Sequence, residues 1–249
     1  MTPALETRSL VRRFGGLTAT DNVSLSIAPG ARHALIGPNG AGKTTLINLV
    51  TGVLAPTSGT VLLEGTDITG LAAHRRVRRG LARTFQINQL FADLTPLETV
   101  GLAISEYQGA GNQWWRIVGT KSTVLDEAAA ILADLSLSDV MYERAASLPY
   151  GKRRLLEIAT ALACKPRVLL LDEPAAGVPE GERHEILDVV LALPRDVTVV
   201  LIEHDMDLVF RFAERITVLV QGAIFTEGTV AEISADPRVR QVYLGEEAA

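Results

Sequence analysis

The stretch Gly37-Pro38-Asn39-Gly40-Ala41-Gly42-Lys43-Thr44-Thr45 meets the pattern G-x-x-x-x-G-K-[ST] at every constrained position. That spacing suits phosphate chemistry. Glycines at 37, 40 and 42 open backbone conformations closed to other residues, so consecutive N–H groups can turn inward onto phosphate oxygens. Lys43 adds positive charge and Thr44 offers a hydroxyl to Mg²⁺. The helix expected to begin near Lys43 aims the positive end of its dipole at the same anion. A second group, Asp172-Glu173, directly follows the apolar run Val168-Leu169-Leu170-Leu171. This puts two carboxylates at the carboxyl end of a strand, where open α/β sheets bind ligands. Asp172 suits a hold on Mg²⁺ through water, and Glu173 suits orienting and polarising a water that attacks a terminal phosphate. His204 follows Val199-Val200-Leu201-Ile202-Glu203 and could face the same crevice, although a histidine at a strand end is more often structural. His33, His74 and His184 have no comparable placement and receive no role.

These groups need a frame, and the hydrophobic pattern supplies one. Arg32 to Ile36 reads as the strand that delivers the glycine-rich loop, and a helix follows from Lys43 toward Thr51-Gly52. Ahead of it, Val23, Leu25 and Ile27 alternate with Asn22, Ser24 and Ser26, the period of a strand with one wet face, and Pro29-Gly30 turns the chain. Gly59 to Glu64 reads as a further strand. Leu71 to Leu81 carries Arg75, Arg76, Arg78 and Arg79, read as a solvated helix face in preference to a phosphate or nucleic-acid contact. From Pro96 to Arg144 the pattern turns helical, with Val124, Leu125, Ala128, Ile131, Leu132 and Leu135 recurring at helical spacing. Gly109 to Trp115 joins turn formers to Trp114 and Trp115, either as packed side chains or as a membrane-proximal docking loop. After Gly151 come a helix to Cys164, a strand at Val168–Leu171, a helix near Glu182–Leu193, a strand at Val197–Ile202 and a helix from Asp205. Strands near Ile216–Val220 and Ala223–Thr226 close the series. Strands alternating with helices imply a parallel sheet covered on both faces.

Composition narrows the function classes. A chain of 249 residues fits one large domain, or one with a subdomain, and can bury a substantial core. Lys and Arg number 24 against 29 Asp and Glu, and the net charge of −5 argues against a dedicated nucleic-acid binder. The single cysteine, Cys164, makes no internal disulfide and suits a reducing compartment. Mean hydropathy is high at +0.22, yet no apolar run approaches the roughly 18 residues that span a bilayer. The first residues, with Glu6, Arg8, Arg12 and Arg13, precede no apolar signal core, so the expected location is the cytoplasm.

Taken in chain order, the phosphate-binding loop, Thr84-Phe85-Gln86, Leu148-Pro149-Tyr150-Gly151-Lys152, Asp172-Glu173-Pro174 and Glu203-His204-Asp205 resemble the ATP-binding cassette (ABC) ATPases. The likeness runs from about Leu5 to Gly245. It implies an α/β P-loop NTPase core with a small antiparallel β subdomain and a helical subdomain. Residues 1–94 would form the first part of the core, 95–150 the helical subdomain leading into the signature, and 151–249 the second part. It implies an ATPase that uses Mg²⁺, with Gln86 sensing the γ-phosphate and metal, His204 as the switch histidine and Phe14 stacking on adenine. It also makes Leu148 to Lys152 the signature that completes a partner's nucleotide site.

Glu203-His204-Asp205-Met206, the turn Pro174-Ala175-Ala176-Gly177, the L-x-Y-G signature and the ending Val242-Tyr243-Leu244-Gly245 resemble more narrowly the ATPase subunits of branched-chain amino acid importers. That resemblance implies two ATPase chains closing head to tail on ATP, two membrane permeases, an external solute-binding protein and a peripheral place on the inner face of the cell membrane. Two positions depart from the broad family. Pro149 replaces the signature serine and offers neither hydroxyl nor N–H, and Pro179 stands where the family usually has Asp or Asn. The departures lead to the expectation that this chain pairs with a different ATPase subunit and that the two sites are unequal. A competing reading is a soluble ABC ATPase acting on a ribosome or DNA without permeases, against which a short chain with one cassette argues. A P-loop kinase or small GTPase would leave the helical insert, signature and switch histidine without purpose.

Overall fold

β8 (Val168–Asp172) and β9 (Thr198–Ile202) are buried at every position, because both faces of the sheet they occupy are covered. Side chains alternate across that sheet. Leu169, Leu171, Val199 and Leu201 join one hydrophobic cluster, while Val168, Leu170, Val200 and Ile202 join another on the opposite face. The computed structural model describes residues 1–84, 90–109 and 122–244, so the expectations for Phe85-Gln86, Trp114-Trp115 and Gly245 lie outside the described residues.

Among the described residues the main sheet has the order β11-β10-β4-β9-β8-β7. Its members are β4 (Arg32–Ile36), β7 (Leu81–Arg83), β10 (Arg215–Val220) and β11 (Ala223–Thr229) beside β8 and β9. The pairings from β10 through β7 are parallel, and β11 adds an antiparallel edge. The helix α6 (Glu180–Leu191) joins β8 to β9, and α7 (Met206–Phe212) joins β9 to β10. A second, antiparallel sheet contains β1 (Leu5–Phe14), β2 (Leu17–Val23), β3 (Ser26–Ile27), β5 (Ser58–Leu63) and β6 (Thr66–Asp67). It shares a core with the main sheet through Leu5, Leu10, Val61 and Leu63.

The helical stretch contains α3 (Pro96–Tyr107) and α4 (Ser122–Asp134), which pack on α5 (Tyr150–Leu162). Thr95 starts α3 with a capping box: its side chain accepts from the Glu98 N–H while Glu98 reaches back to the Thr95 N–H. Val100, Ile104, Val124, Ala128 and Leu132 merge with Leu155, Leu156 and Ala159 of α5 into the cluster that covers β8 and β9. The chain closes with α8 (Val230–Ala235) and α9 (Pro237–Leu244), whose Ile233 and Val239 pack on Ala34, Ile36, Ile216 and Val218.

Two expectations need correction. Residues 23 to 27 do not form one strand: β2 ends at Val23 and β3 spans only Ser26–Ile27. Asn22 has a φ of +50°, and the Thr7 hydroxyl takes over local bonding by donating to Val23 O and accepting from Leu25 N–H. Nor is the arginine-rich helix α2 (Ala73–Arg78) merely a solvated face. Arg75, Arg78 and Arg79 are exposed, but Arg76 is buried and donates to the carbonyls of Leu49, Val50, Thr69 and Leu71. It thereby bonds carbonyls in the last turn of α1 (Lys43–Thr51): Val50 O, and Leu49 O beside the N–H of the C-cap Gly52. Arg32, also buried, does the same for the connection between α6 and β9 through Leu193 O and Val197 O.

Candidate nucleotide site

Three adjacent parallel strands end at one edge, and each delivers a group singled out above. Leu35 of β4 pairs with Ile202 of β9, and Ile202 pairs with Asp172 of β8. The phosphate-binding loop, Asp172-Glu173 and Glu203-His204 therefore emerge side by side. The Glu173 N–H donates to Ile202 O at 2.9 Å, which stitches the second group to the third.

The glycine-rich loop is wedged between neighbours. Gly37 has a φ of +154°, and a Cβ there would sit 2.2 Å from Leu219 O. At Gly42, with φ +97°, a Cβ would sit 2.5 Å from Ala19 O. Any side chain at either place forces backbone apart. Gly222 donates its N–H to Ala41 O at 2.9 Å, tying the loop to the turn between β10 and β11. The loop ends at Gly42, the N-cap of α1, which has no capping side chain, so the first N–H groups of that helix face the cleft. The Lys43 ammonium donates to Gly37 O and, at 3.0 Å, to Pro38 O, so it arches over the loop.

The cleft, about 630 Å³, is lined by Asn39 to Thr45, by Glu173, and by Phe14, Leu17, Thr18 and Ala19 of the first hairpin. Phe14 is 44% exposed, and the Arg12 guanidinium lies 4.5 Å from its ring centre. A cation on one face leaves the other for an aromatic base. Phe14 pairs with Leu17 across Gly15-Gly16, which puts this ring at a hairpin tip beside the phosphate cradle.

Glu173 adopts a φ of +47°, a conformation rare outside glycine, directly after β8. Its Oε1 lies 3.8 Å from His204 Nδ1, and Glu203 Oε2 lies 3.7 Å from the same nitrogen. His204 is exposed, whereas Glu203 is buried and accepts the N–H of His204 and of Ala175. Burial pushes the Glu203 carboxyl up, opposed by those backbone bonds and by His204. Asp205 caps α7 by accepting from Asp207 and Leu208 N–H, which fixes the turn that carries His204.

Asp172 is buried and paired. Its Oδ2 receives Arg83 Nη2 at 2.6 Å, while Arg83 Nη1 donates to Asn48 Oδ1 of α1 at 2.7 Å. Sequence reasoning missed Arg83. The available signal was its place at the end of β7, just before Thr84-Phe85-Gln86 and beside Leu170 of β8.

The signature residues lie elsewhere. Leu148 is buried, and Pro149 occupies the N-cap of α5 with no side-chain cap. Pro149, Gly151 and Lys152 line a second depression with Ser136, Glu182 and Glu185, and none of them lines the phosphate cleft. Lys152 donates inward, to Ser136 O at 2.6 Å and Asp139 Oδ1 at 3.2 Å. Pro179 is the N-cap of α6, also without a side-chain cap.

Comparison with known proteins agrees with this geometry. Residues 20–176 match the model of the ABC transporter family, and residues 224–249 match that of the branched-chain amino acid ATP-binding cassette transporter. The chain is 38% identical to the high-affinity branched-chain amino acid transport ATP-binding protein BraF of Pseudomonas aeruginosa, with 98% of each chain covered. It is 39% identical to LivG of Escherichia coli strain K12, a protein described in the same words, again with 98% of each covered. Among solved structures, the ADP conformation of an ATP-binding cassette of an ABC transporter superposes with a TM-score of 0.85 at 34% identity, covering 98% of this chain and all of that one. The chain belongs to the ABC transporter family, as one of its ATP-binding and ATP-hydrolysing cassettes.

Proposed function

We propose that this chain powers an importer of branched-chain or related amino acids, coupling ATP-driven closure of an ATPase pair to membrane permeases. The observation that carries the reading is the convergence of the glycine-rich loop, Asp172-Glu173 and His204 on the carboxyl ends of three neighbouring strands. The residue roles follow from their chemistry. Gly37 to Thr45 cradle the phosphates with backbone N–H groups, Lys43 turns its ammonium from the loop carbonyls to the anion, and Phe14 stacks on the base. Glu173 holds the attacking water and takes its proton as oxygen bonds to the γ-phosphorus and the bond to the ADP oxygen breaks. His204, 3.8 Å from Glu173, steadies that phosphate, and Gln86 senses it.

The Thr44 hydroxyl, which lines the cleft, and the Asp172 carboxylate, paired with Arg83 and next to Glu173, would hold a Mg²⁺ ion that keeps most ligands as phosphate oxygens and water, since no cluster of three ligating side chains stands among the described residues. When bound, such an ion neutralises charge on the transferring phosphate. Leu148 to Lys152 complete the site of a second ATPase chain, which is consistent with their separation from the cradle in this one. We assign 1–94 and 151–249 to the nucleotide-binding core and 95–150 to a helical subdomain. No helix among the described residues is long and apolar enough to cross a membrane. Attachment at the inner face of the membrane would then run through two permeases, with an external solute-binding protein delivering the amino acid.

Replacing Glu173 by Gln tests the chemistry. Turnover should fall by about 10²–10⁴ while bound ATP is retained. Steady hydrolysis at the wild-type rate removes Glu173 from its role. Purification of the tagged chain from solubilised membranes tests the partners: two permeases and a second ATPase are expected, and ribosomal or DNA-associated proteins without a membrane protein overturn the importer reading.

A further inference from the structure

The turn Pro174-Ala175-Ala176-Gly177 leaves Glu173 directly and is gripped from two sides. On the nucleotide side stands Glu203, 2% exposed, whose Oε1 accepts the Ala175 N–H at 3.3 Å and whose Oε2 accepts the His204 N–H at 3.1 Å. On the other side stands Arg154 of α5, 3% exposed. Its Nη2 donates to Ala176 O at 3.4 Å and to the Tyr150 hydroxyl at 2.9 Å, and its Nη1 donates to Glu157 Oε2 at 2.9 Å. Tyr150, itself a signature residue, lays its ring against Gly177. A Cβ on Gly177 would meet the Tyr150 hydroxyl at 3.1 Å and ring carbon Cζ at 3.2 Å.

We propose that Tyr150 and Arg154 are positioning residues that couple the two nucleotide sites of an ATPase pair, by fixing the signature turn of one site to the loop that carries the catalytic glutamate of the other. The proposal rests on the reading above that the signature completes the partner's site. Its physical basis is the cost of breaking buried charged contacts. Arg154 and Glu203 can lose a partner only by leaving a charge or a backbone group unsatisfied, so the loop and its two grips move together. A shift of Glu173 and His204 is thereby felt at Tyr150. The link also supplies a route that needs no acidic or amide side chain at position 179, where this chain has proline.

The test uses the full chain assembled with the second ATPase that co-purifies with it, with steady-state ATP hydrolysis measured against ATP concentration and binding of a fluorescent ATP analogue measured in parallel. Tyr150→Phe keeps the ring on Gly177 and removes only the hydroxyl. Arg154→Met combined with Glu157→Gln removes the guanidinium without stranding a buried carboxylate, and Tyr150→Phe carries the test if that double variant fails to fold. In each variant the analogue should bind within about twofold of wild type, kcat should fall about tenfold, and the Hill coefficient should drop from above 1 toward 1. A purely structural role would lower the amount of active protein and leave the Hill coefficient of the remainder unchanged, which overturns the proposal. A wild-type pair that hydrolyses ATP with a Hill coefficient of 1 also overturns it and leaves the ATPase reading standing. A wild-type pair that hydrolyses no ATP overturns both.

Discussion

The phosphate cradle and the signature turn both stand at helix N-termini, yet they are built from opposite materials. At the cradle the backbone does the work: Gly37 and Gly42 lie where a Cβ would strike a carbonyl oxygen, and the one charged side chain, Lys43, folds over the loop. At the signature the side chains are held by bonds to their own chain. Lys152 bonds Ser136 and Asp139, Tyr150 bonds Arg154, and Pro149 has no N–H to give. The cradle thus carries its donors within one chain, whereas the signature, as proposed above, is half of a site. A backbone site tolerates little change of sequence, whereas a turn held by side chains can vary provided its inward bonds survive.

Acid should separate the two regions most. β4, which delivers the cradle, contains His33, buried and bonded to the Thr217 hydroxyl at 2.8 Å. Burial pushes this imidazole down to about 4, with Glu227 pulling the other way and Arg215 adding to the depression. The unfolded chain then binds the proton more readily than the folded one between about pH 6.5 and 4, so the contribution of His33 is fully present above that window and is lost as pH falls through it. In α5, beside the signature, burial pushes Glu157 upward, and the sign reverses: that group favours the fold more as its carboxyl is protonated. In urea titrations, the stability difference between wild type and His33→Gln should shrink by about 2 kcal/mol from pH 7 to pH 5. A difference independent of pH would mean that His33 is not held neutral.

Lys43→Ala is the next largest. Loss of one charged donor to phosphate costs about 2 kcal/mol, so ATP affinity should fall roughly thirtyfold while thermal unfolding stays close to wild type. Unchanged affinity measured by calorimetry would reduce the cradle to its backbone alone. Phe14→Ala removes a stacking face worth about 1–3 kcal/mol, and its expected effect on ATP affinity is nearer tenfold. Triphosphate alone should bind both proteins equally, and an equal loss for triphosphate would place Phe14 in the phosphate contacts.

How much of this could be read from sequence follows the same division. The loop and the strand ends that carry Asp172-Glu173 and His204 were legible because a phosphate loop leaves glycine at fixed spacing and because apolar runs such as Val168 to Leu171 announce their strand ends, whereas a role for His204 came only from the family resemblance. Alternation of strands and helices gave the parallel sheet. Long-range side-chain partners left no such trace. Arg83 meets Asp172 from 89 residues away, and Arg154 meets Ala176 from 22. Arg76 looked solvated because a charged helix face is the ordinary outcome, and only the fold brings the end of α1 over it. The strand expected at 23 to 27 was read from an alternation that burial alone produces: Val23, Leu25 and Ile27 are all buried though the ladder breaks between them.

The smallest effect concerns Pro149, and it bears most directly on what the signature lacks. The residue has φ −53° and ψ 154°, an extended geometry that serine also adopts, and it caps α5 without a side-chain bond. Pro149→Ser would supply a hydroxyl to the free N–H groups of the first turn, which stabilises a helix by about 0.5–1 kcal/mol. Loss of the rigid ring offsets part of that gain through the unfolded chain, so the net rise should be a few tenths of a kcal/mol. Pro149 is exposed and lines the depression with Gly151 and Lys152, so the same hydroxyl would be open to a partner. If an anion of the partner competes for it, the stability gain in the isolated chain should vanish on addition of the ATP-loaded partner, while turnover of the pair rises about twofold. A variant that gains stability but leaves turnover of the pair untouched would show that proline costs this signature nothing, and that its backbone donors alone complete the partner's site.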